Sequence, residues 1–440
     1  MPNRIDNIRA TNESLTHRLL ELTADAARVL PQPSSKPDHP ADAILRDADA
    51  IVAHIEVNDK HGVGVLIRKL FGHCSNLLSI RSKDFYEGRQ EFGDLHIRIS
   101  HGVASRDAVF WRVLQALNGN TVKRVLCVPY FPDDARTAVA LKEIYGAPLC
   151  TYLMDDQNLC SDGIPDEVMG ELLAKSSLRL AISPELYVGY ELKYGYKMHF
   201  TPPLVATRLI LPQLNPPSQE TLQAKSGVIV GNIWGQRWLE LLRATVRDSG
   251  VTLRWYCNGD FRWLPCDKET LAREGMVPHE GPALADDQLV EVLRQAPFAV
   301  VPSGTLDDTD DRRFIAQLSF PSRIPYILAT SQAPILVLGN EATAAARFVT
   351  GAGIGMSAPY DRDAFQDAVE RMTRLDVNLA MRRKALTLAG RFADIGASEW
   401  IWQSLAKGEP IDDRYESMMP RPRPDLTQLV SACPKGSRTI

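Results

Sequence analysis

Apolar residues along this chain fall into two kinds of run, and the two alternate. Short unbroken runs rich in Val, Ile and Leu read as strands buried on both faces. Between them, apolar residues recur at helical spacing with polar residues on the other face. In the first half this predicts strands at 50–57, 76–80, 95–100, 124–129, 148–154 and 178–182, with helices at 63–71, 107–117, 134–145 and 166–175. In the second half it predicts strands at 227–231, 252–257, 298–301, 334–338 and 354–357. Helices there are expected at 237–247, 286–295, from Pro321, at 341–348, at 363–371 and at 398–405. Such alternation implies right-handed crossovers and parallel sheets covered by helices.

Breaks in the pattern set the expected domains. Residues 14–30 have helical spacing, and the proline-rich stretch 31–37 ends it. Pro212, Pro216 and Pro217 mark a linker between the halves. The organisation expected is a helical extension and linker at 1–45, a first Rossmann-like domain at 46–207, a linker at 208–225, a second Rossmann-like domain at 226–385, C-terminal helices at 386–407 that cross back to the first domain, and a disordered tail at 408–440. Two doubly wound domains leave a cleft where their strand ends face each other.

Composition narrows the class. A length of 440 residues suits two domains, and 45% hydrophobic residues suit a chain with real cores. The formal charge of −4 gives no reason to expect a nucleic-acid partner. No apolar run approaches the roughly 20 residues of a membrane span, and residues 1–20 are too polar for a secretory signal. Cys74, Cys127, Cys150, Cys160, Cys257, Cys266 and Cys433 form no Cys-x-x-Cys pair, which suits reduced thiols and a cytoplasmic location.

The run Phe320-Pro321-Ser322-Arg323-Ile324-Pro325-Tyr326-Ile327-Leu328-Ala329 carries the most chemistry. It reads as a helix start with Ser322 as N-cap, because Pro325 fits only within the first turn. First-turn N–H groups and the helix dipole favour phosphate, and Arg323 adds a fixed cation; an ordinary surface cap is the plainer reading. His61-Gly62-Val63-Gly64 reads either as a ligand loop or as a plain strand-to-helix turn, with Gly62 and Gly64 permitting close backbone approach. Gly351-Ala352-Gly353 follows a helix and reads as its C-terminus, with Gly351 at C′.

On the first domain's strand ends lie His101, Asp133, Asp134, Asp155 and Asp156. Each is a candidate ligand or base, or a structural residue and helix cap. In the acidic loop 306–311, Asp310 is a candidate for sugar or ribose hydroxyls; a solvated loop is the alternative, and no further cluster supports a metal.

Taken together these residues resemble the GT-B glycosyltransferases, most closely the large family 4. Many of those carry Pro-Ser-Lys, then a Glu-Tyr-Met-Ala-like helix, then a Pro-Val/Ile strand. Here the matching residues are Pro321-Ser322-Arg323, Tyr326-Ile327-Leu328-Ala329 and Pro334-Ile335-Leu336. Val230-Gly231-Asn232 resembles the Val-Gly-Arg segment that opens the donor domain, and Arg237 falls where a lysine often contacts the donor diphosphate. The His61 stretch resembles the acceptor-side loop. Three departures stand out: Tyr326 occupies the place of the ribose-holding glutamate, Asn232 that of the arginine, and the pair of glutamates eight residues apart is absent.

The fold class so implied is α/β, two Rossmann-like doubly wound domains facing a cleft, with an N-terminal helical extension. The implied activity is transfer of a sugar from a nucleotide-diphosphate donor to an acceptor hydroxyl without a metal or resident cofactor, in surface polysaccharide or glycoconjugate synthesis. Ser322, Arg323, Tyr326, Arg237, Asn232 and Asp310 would hold the donor, and Gly62 and Gly64 would face a glycan or lipid-linked acceptor. His101 would be the base if configuration inverts; the leaving phosphate would take the proton if it is retained. A sugar-nucleotide epimerase or hydrolase and a non-catalytic binding protein are the rival readings. Residues 66–71 could touch a membrane surface or face the core.

Overall fold

The computed structural model describes residues 44–53, 57, 62–83, 92–257, 264 and 266–419. The helix expected at 14–30, His61 and residues 420–440 lie outside them.

The first half builds strands β1 (Ala48–Ala53), β2 (Leu77–Arg81), β3 (Leu95–Arg98), β4 (Val122–Val128), β5 (Leu149–Leu153), β6 (Leu178–Ala181) and β7 (His199–Phe200). Helices α1 (Gly62–Phe71), α2 (Arg106–Leu117), α3 (Pro132–Tyr145), α4 (Asp166–Lys175) and α5 (Pro184–Tyr194) alternate with them. The sheet is parallel throughout, in the order β3-β2-β1-β4-β5-β6-β7. After a short helix α6 (Gln219–Gln223), the second half builds β8 (Ser226–Val230), α7 (Gln236–Val246), β9 (Thr252–Tyr256), α8 (Lys268–Arg273), β10 (Met276–Pro278), α9 (Asp286–Gln295), β11 (Ala299–Pro302), α10 (Arg313–Leu318), α11 (Arg323–Ser331), β12 (Ile335–Leu338), α12 (Ala344–Gly351), β13 (Gly355–Ala358) and α13 (Arg362–Met372). Its sheet is also parallel, in the order β10-β9-β8-β11-β12-β13. Helices α14 (Leu375–Ala389) and α15 (Ala397–Lys407) end the regular structure.

Local chemistry sets the helix ends. Ser105, Ser183, Thr343 and Asp361 each accept a bond from a first-turn N–H of α2, α5, α12 and α13. The strand order reverses between β1 and β4 in one sheet and between β8 and β11 in the other. Those reversals splay the flanking loops apart at the carboxyl ends of the strands, where such sheets take ligands.

Several expectations change. Helix α5 was not anticipated because it is buried nearly all round, through Leu186, Tyr187, Gly189 and Tyr190, so no polar stripe marks it. Helix α14 was missed because its inner face carries buried Asn378 and Arg382, which interrupt the apolar period. Helix α12 keeps Gly351 within its last turn, and the left-handed residue is Gly353 (φ +67°). Leu66, Ile67, Leu70 and Phe71 are buried in the first core, so α1 faces inward and offers no apolar face to a membrane. Among the described residues no helix is long and apolar enough to cross a membrane. The expected disorder after Gly408 does not hold for residues 409–419. Tyr415 packs edge-on against Trp400 at 4.8 Å, Asp412 accepts the Trp400 indole N–H at 2.9 Å, and Glu416 accepts the Phe200 N–H at 2.9 Å.

The two sheets are joined at several points. Helix α15 packs into the first core through Trp400, Ile401, Trp402 and Leu405. Ser319 donates to Asp155 at 3.2 Å, Ser183 donates to the Leu318 carbonyl, and Arg347 of α12 pairs with Glu185 of α5 at 2.8 Å. Asp394 accepts from the Thr207 N–H (2.9 Å) and hydroxyl (2.7 Å), beside a parallel bridge between Val205 and Ala393.

Candidate functional site

The second sheet's reversal point is built first by backbone. Beyond β8 the chain turns through Gly231 at φ +79°, a conformation that a Cβ disfavours. Gly231 donates its N–H to the Tyr256 carbonyl (2.7 Å) and accepts from the Trp255 indole (2.8 Å), so the turn is fixed on both sides. The Arg323 guanidinium lies against it: a Cβ at Gly231 would come 3.8 Å from its central carbon. Arg323 Nη2 donates to the Asn232 carbonyl at 2.6 Å, while Nη1 is buried with no hydrogen-bond partner. Among the described residues no carboxylate pairs with this cation, and burial lowers its pKa to about 10. Arg323, Gly231 and Asn232 are therefore brought together, although Asn232 takes part through its backbone and its side chain is exposed.

The cap itself differs from the expectation. Ser322 is the residue before the helix, but its hydroxyl makes no capping bond and it has helical backbone angles (φ −59°, ψ −20°). Ile324 N–H goes to Pro321 O (3.0 Å), Tyr326 N–H goes to Ser322 O (3.3 Å), and Pro325 has none. Ile324 N–H is thus already bonded and Pro325 has no N–H, so the guanidinium is the main donor on offer at this helix start. Tyr326 is half-buried; its hydroxyl lies 3.4 Å from both the backbone carbonyl and a carboxylate oxygen of Asp286. Burial, then the charge of Asp286, raises the phenol pKa well above its usual value.

Arg237 and Asp310 belong to a different cluster. Arg237 pairs with Asp307 at 3.0 Å and donates to the Thr309 hydroxyl, leaving Nε buried without a partner. Hydrogen bonds from the Thr309 hydroxyl and N–H, helped by Arg237, hold the Asp307 carboxyl down at about 2. Asp310 is engaged inside its own loop. Its carboxylate is buried and accepts from the Trp238 indole (2.9 Å), Arg312 N–H (3.0 Å) and Leu306 N–H (3.1 Å), so it organises the loop after β11.

In the first lobe, His101 is only 3% exposed. Nε2 contacts the Thr137 hydroxyl at 2.8 Å, Nδ1 is buried without a partner, and burial lowers its pKa to about 4. A neutral, enclosed imidazole of that basicity is a poor general base. Asp133 accepts from His101 N–H (2.9 Å) and Ser100 (3.2 Å). Asp134 is buried at the start of α3, takes Ser82, Tyr130 N–H and Phe131 N–H, and is raised by burial to about 6. Asp155 holds Tyr130 and Ser319, and Asp156 collects the N–H groups of Asn158, Leu159, Cys160 and Ser161. All four carboxylates are structural anchors. Gly62 and Gly64 are first-turn residues of α1, and neither has a positive φ, so they form helix and not a loop.

Two groupings escaped the sequence reading. Tyr256 and His279 stack at the ends of β9 and β10, with ring centroids 5.2 Å apart, next to the Gly231 turn. A cavity of about 440 Å³ is lined by Arg68, Lys69, Ala206, Thr207, Arg208, Asp286 and Asp394. Its residues come from four separate segments, which no spacing rule joins. Among the described residues no group of three or more His, Cys, Asp or Glu side chains could hold a metal ion.

No protein-family model matches the chain, and no curated protein matches it. Solved structures do. One is Anabaena Alr3699/HepE in complex with UDP, at 14% identity and TM-score 0.56, covering 82% of this chain and 100% of that one. Another is WaaG, a glycosyltransferase involved in lipopolysaccharide biosynthesis, at 10% identity and TM-score 0.53, covering 80% and 97%. A third is an α,α-trehalose-phosphate synthase (UDP-forming) from Burkholderia xenovorans in complex with glucose-6-phosphate, at 11% identity and TM-score 0.52, covering 82% and 100%. At such identities the likeness is one of architecture, and it spans both sheets. Two Rossmann-like domains of this order and connection give the chain the GT-B fold.

Proposed function

We propose that the chain is a glycosyltransferase that moves a sugar from a nucleotide-diphosphate donor to an acceptor hydroxyl. One observation carries this reading: among the described residues, the Arg323 guanidinium, set at the second sheet's reversal point, has a buried Nη1 without a partner and no carboxylate beside it. A buried donor left unmade costs about 1–3 kcal/mol, more when charged. A diphosphate bound over Gly231 would satisfy it with a short, charge-assisted bond. The same contact would strengthen as negative charge develops on the leaving diphosphate. Arg237 would join after exchanging Asp307 for phosphate. The UDP held by the HepE structure supports a uridine nucleotide as the first donor to test.

With His101 enclosed, the base is not supplied from that position. This favours the route in which the leaving phosphate takes the acceptor proton, with retained configuration. The domain division near 208–225 and the acceptor on the first lobe belong to the same proposal.

A second reading has its own support. Tyr326 stands where the resembling family places a ribose-holding glutamate, and its hydroxyl already meets Asp286. That suits a protein that binds nucleotide sugars without transferring them. Mass-spectrometric product analysis with UDP-sugars separates the readings. Transfer predicts sugar-bearing product only when acceptor is present. A new sugar nucleotide or free sugar from donor alone would mean epimerisation or hydrolysis, and bound but unchanged donor would mean a binding protein.

A further inference from the structure

We infer that the cavity between α1 and the start of α9 is a binding site for a sugar bearing one anionic group, phosphate or carboxylate. The inference rests on the transferase reading only in calling that sugar an acceptor.

Lys69 is the reason for the anion. It is half-buried in the cavity wall, and among the described residues no hydrogen bond or ion pair holds its ammonium. Its one close partner is the Tyr326 ring, 5.7 Å from nitrogen to centroid, which solvates a cation weakly. Burial lowers its pKa, and Asp286 and Asp394 act on it only through space. Arg68 also lines the cavity, and Arg208 pairs with Asp287 outside it at 2.8 Å.

The two carboxylates are the reason for the sugar. Asp286 meets the Tyr326 hydroxyl, and Asp394 takes the N–H and hydroxyl of Thr207, all through single oxygens. Each keeps a second oxygen that accepts hydroxyl protons. A polyanion such as a second diphosphate would be repelled by both. A neutral sugar would leave Lys69 without a partner. A sugar with one negative group meets Lys69 with its charge and the carboxylates with its hydroxyls, and the cavity volume of about 440 Å³ holds such a molecule.

The position also fits. Tyr326 lies three residues beyond Arg323 on α11, roughly one helical turn along the axis. The cavity thus adjoins the proposed phosphate seat while sharing none of its residues. Its lining spans both lobes and the connector at 206–208, so occupancy and lobe closure would be coupled.

The test is calorimetric titration of the full chain, saturated with UDP, against glucose 6-phosphate, glucuronate, glucose and inorganic phosphate. At least one of the two anionic sugars should bind about tenfold or more tighter than glucose and than phosphate alone. Which of the two does so names the anion. Lys69→Met should abolish that preference with UDP affinity unchanged, and Lys69→Arg should retain it. Equal binding of glucose, equal binding of phosphate alone, or a preference that survives Lys69→Met would overturn the inference. The wild-type preference needs no variant, so a folding defect in Lys69→Met does not shield the claim. If UDP fails to bind, the donor reading falls by itself, and the sugar titrations repeated without UDP still decide the cavity.

Discussion

Replacing Arg323 by Met should separate binding from stability in opposite directions. The guanidinium makes one bond, 2.6 Å to Asn232 O, and has a buried Nη1 without a partner. Burial brings its pKa down to about 10. Discounted for the part of the side chain that meets solvent, this corresponds to a desolvation cost on the order of 2 kcal/mol. Losing the Asn232 bond costs about 1 kcal/mol. Arg323→Met should therefore leave the unliganded chain slightly more stable, by about 1 kcal/mol, or a rise of roughly 1–3 °C in melting temperature. Against this, a charge-assisted bond to phosphate is worth about 1.5–3 kcal/mol. UDP affinity should fall by about 10- to 150-fold, and the upward melting shift that UDP gives the wild type should shrink accordingly. Calorimetry and thermal melting with and without UDP read both quantities. Unchanged UDP affinity would refute the assignment. A variant that is less stable without ligand would refute the account of the unpartnered cation.

Three further outcomes follow from buried polar groups. Arg382 is fully buried on α14 and donates to Asn378 (2.8 Å), Ala296 O (2.7 Å) and Ser331 O (3.2 Å), tying the ends of α9 and α11 together without a carboxylate. Arg382→Met should cost about 3–5 kcal/mol by urea unfolding, since two buried carbonyls lose their donors; a loss under about 1 kcal/mol would contradict that role. For His101, burial puts the folded pKa at about 4, below the usual unfolded value near 6.5. The unfolded chain then binds the extra proton first, so stability falls as pH drops from about 6.5 towards 4. His101→Leu should remove about 2 kcal/mol of that loss at pH 5 and leave any transfer activity within about threefold; an unchanged pH slope, or abolished transfer with folding intact, would contradict the structural assignment. Breaking the Glu185–Arg347 pair with Arg347→Met strands a buried carboxylate whose pKa burial already raises. It should cost about 2–4 kcal/mol, and adding Glu185→Gln should restore part of it in a double-mutant cycle; additive losses would show that the two side chains do not couple.

The fold was largely legible because strand and helix periods differ, and the central strands are built around short apolar runs. Val228-Ile229-Val230, Val300-Val301 and Ile335-Leu336-Val337 are short and rich in β-branched residues, which favours strands. What stayed hidden lacked amphipathic contrast. Helix α5 is wrapped by protein, and α14 carries Arg382 where an apolar residue was expected. The site was legible at Arg323, because Pro325 limits where a helix can begin and so places the preceding cation at its mouth. Residue type did not reveal the job of Asp310 or His101. An acidic or imidazole group near a strand end is equally suited to ligand or to loop, and partners such as Trp238 and Thr137 are distant in sequence or lie on another element. Lys69 drew notice only as part of an apolar stretch, because Asp286 and Asp394, which share its cavity, lie more than two hundred residues away.

The central claim, that this fold seats a diphosphate on Arg323 beside Gly231, is tested most directly by a crystal structure of the chain with UDP. The account predicts a phosphate oxygen about 2.7–2.9 Å from Arg323 Nη1. Density for UDP elsewhere, or Nη1 still without a partner at full occupancy of the nucleotide, would contradict it.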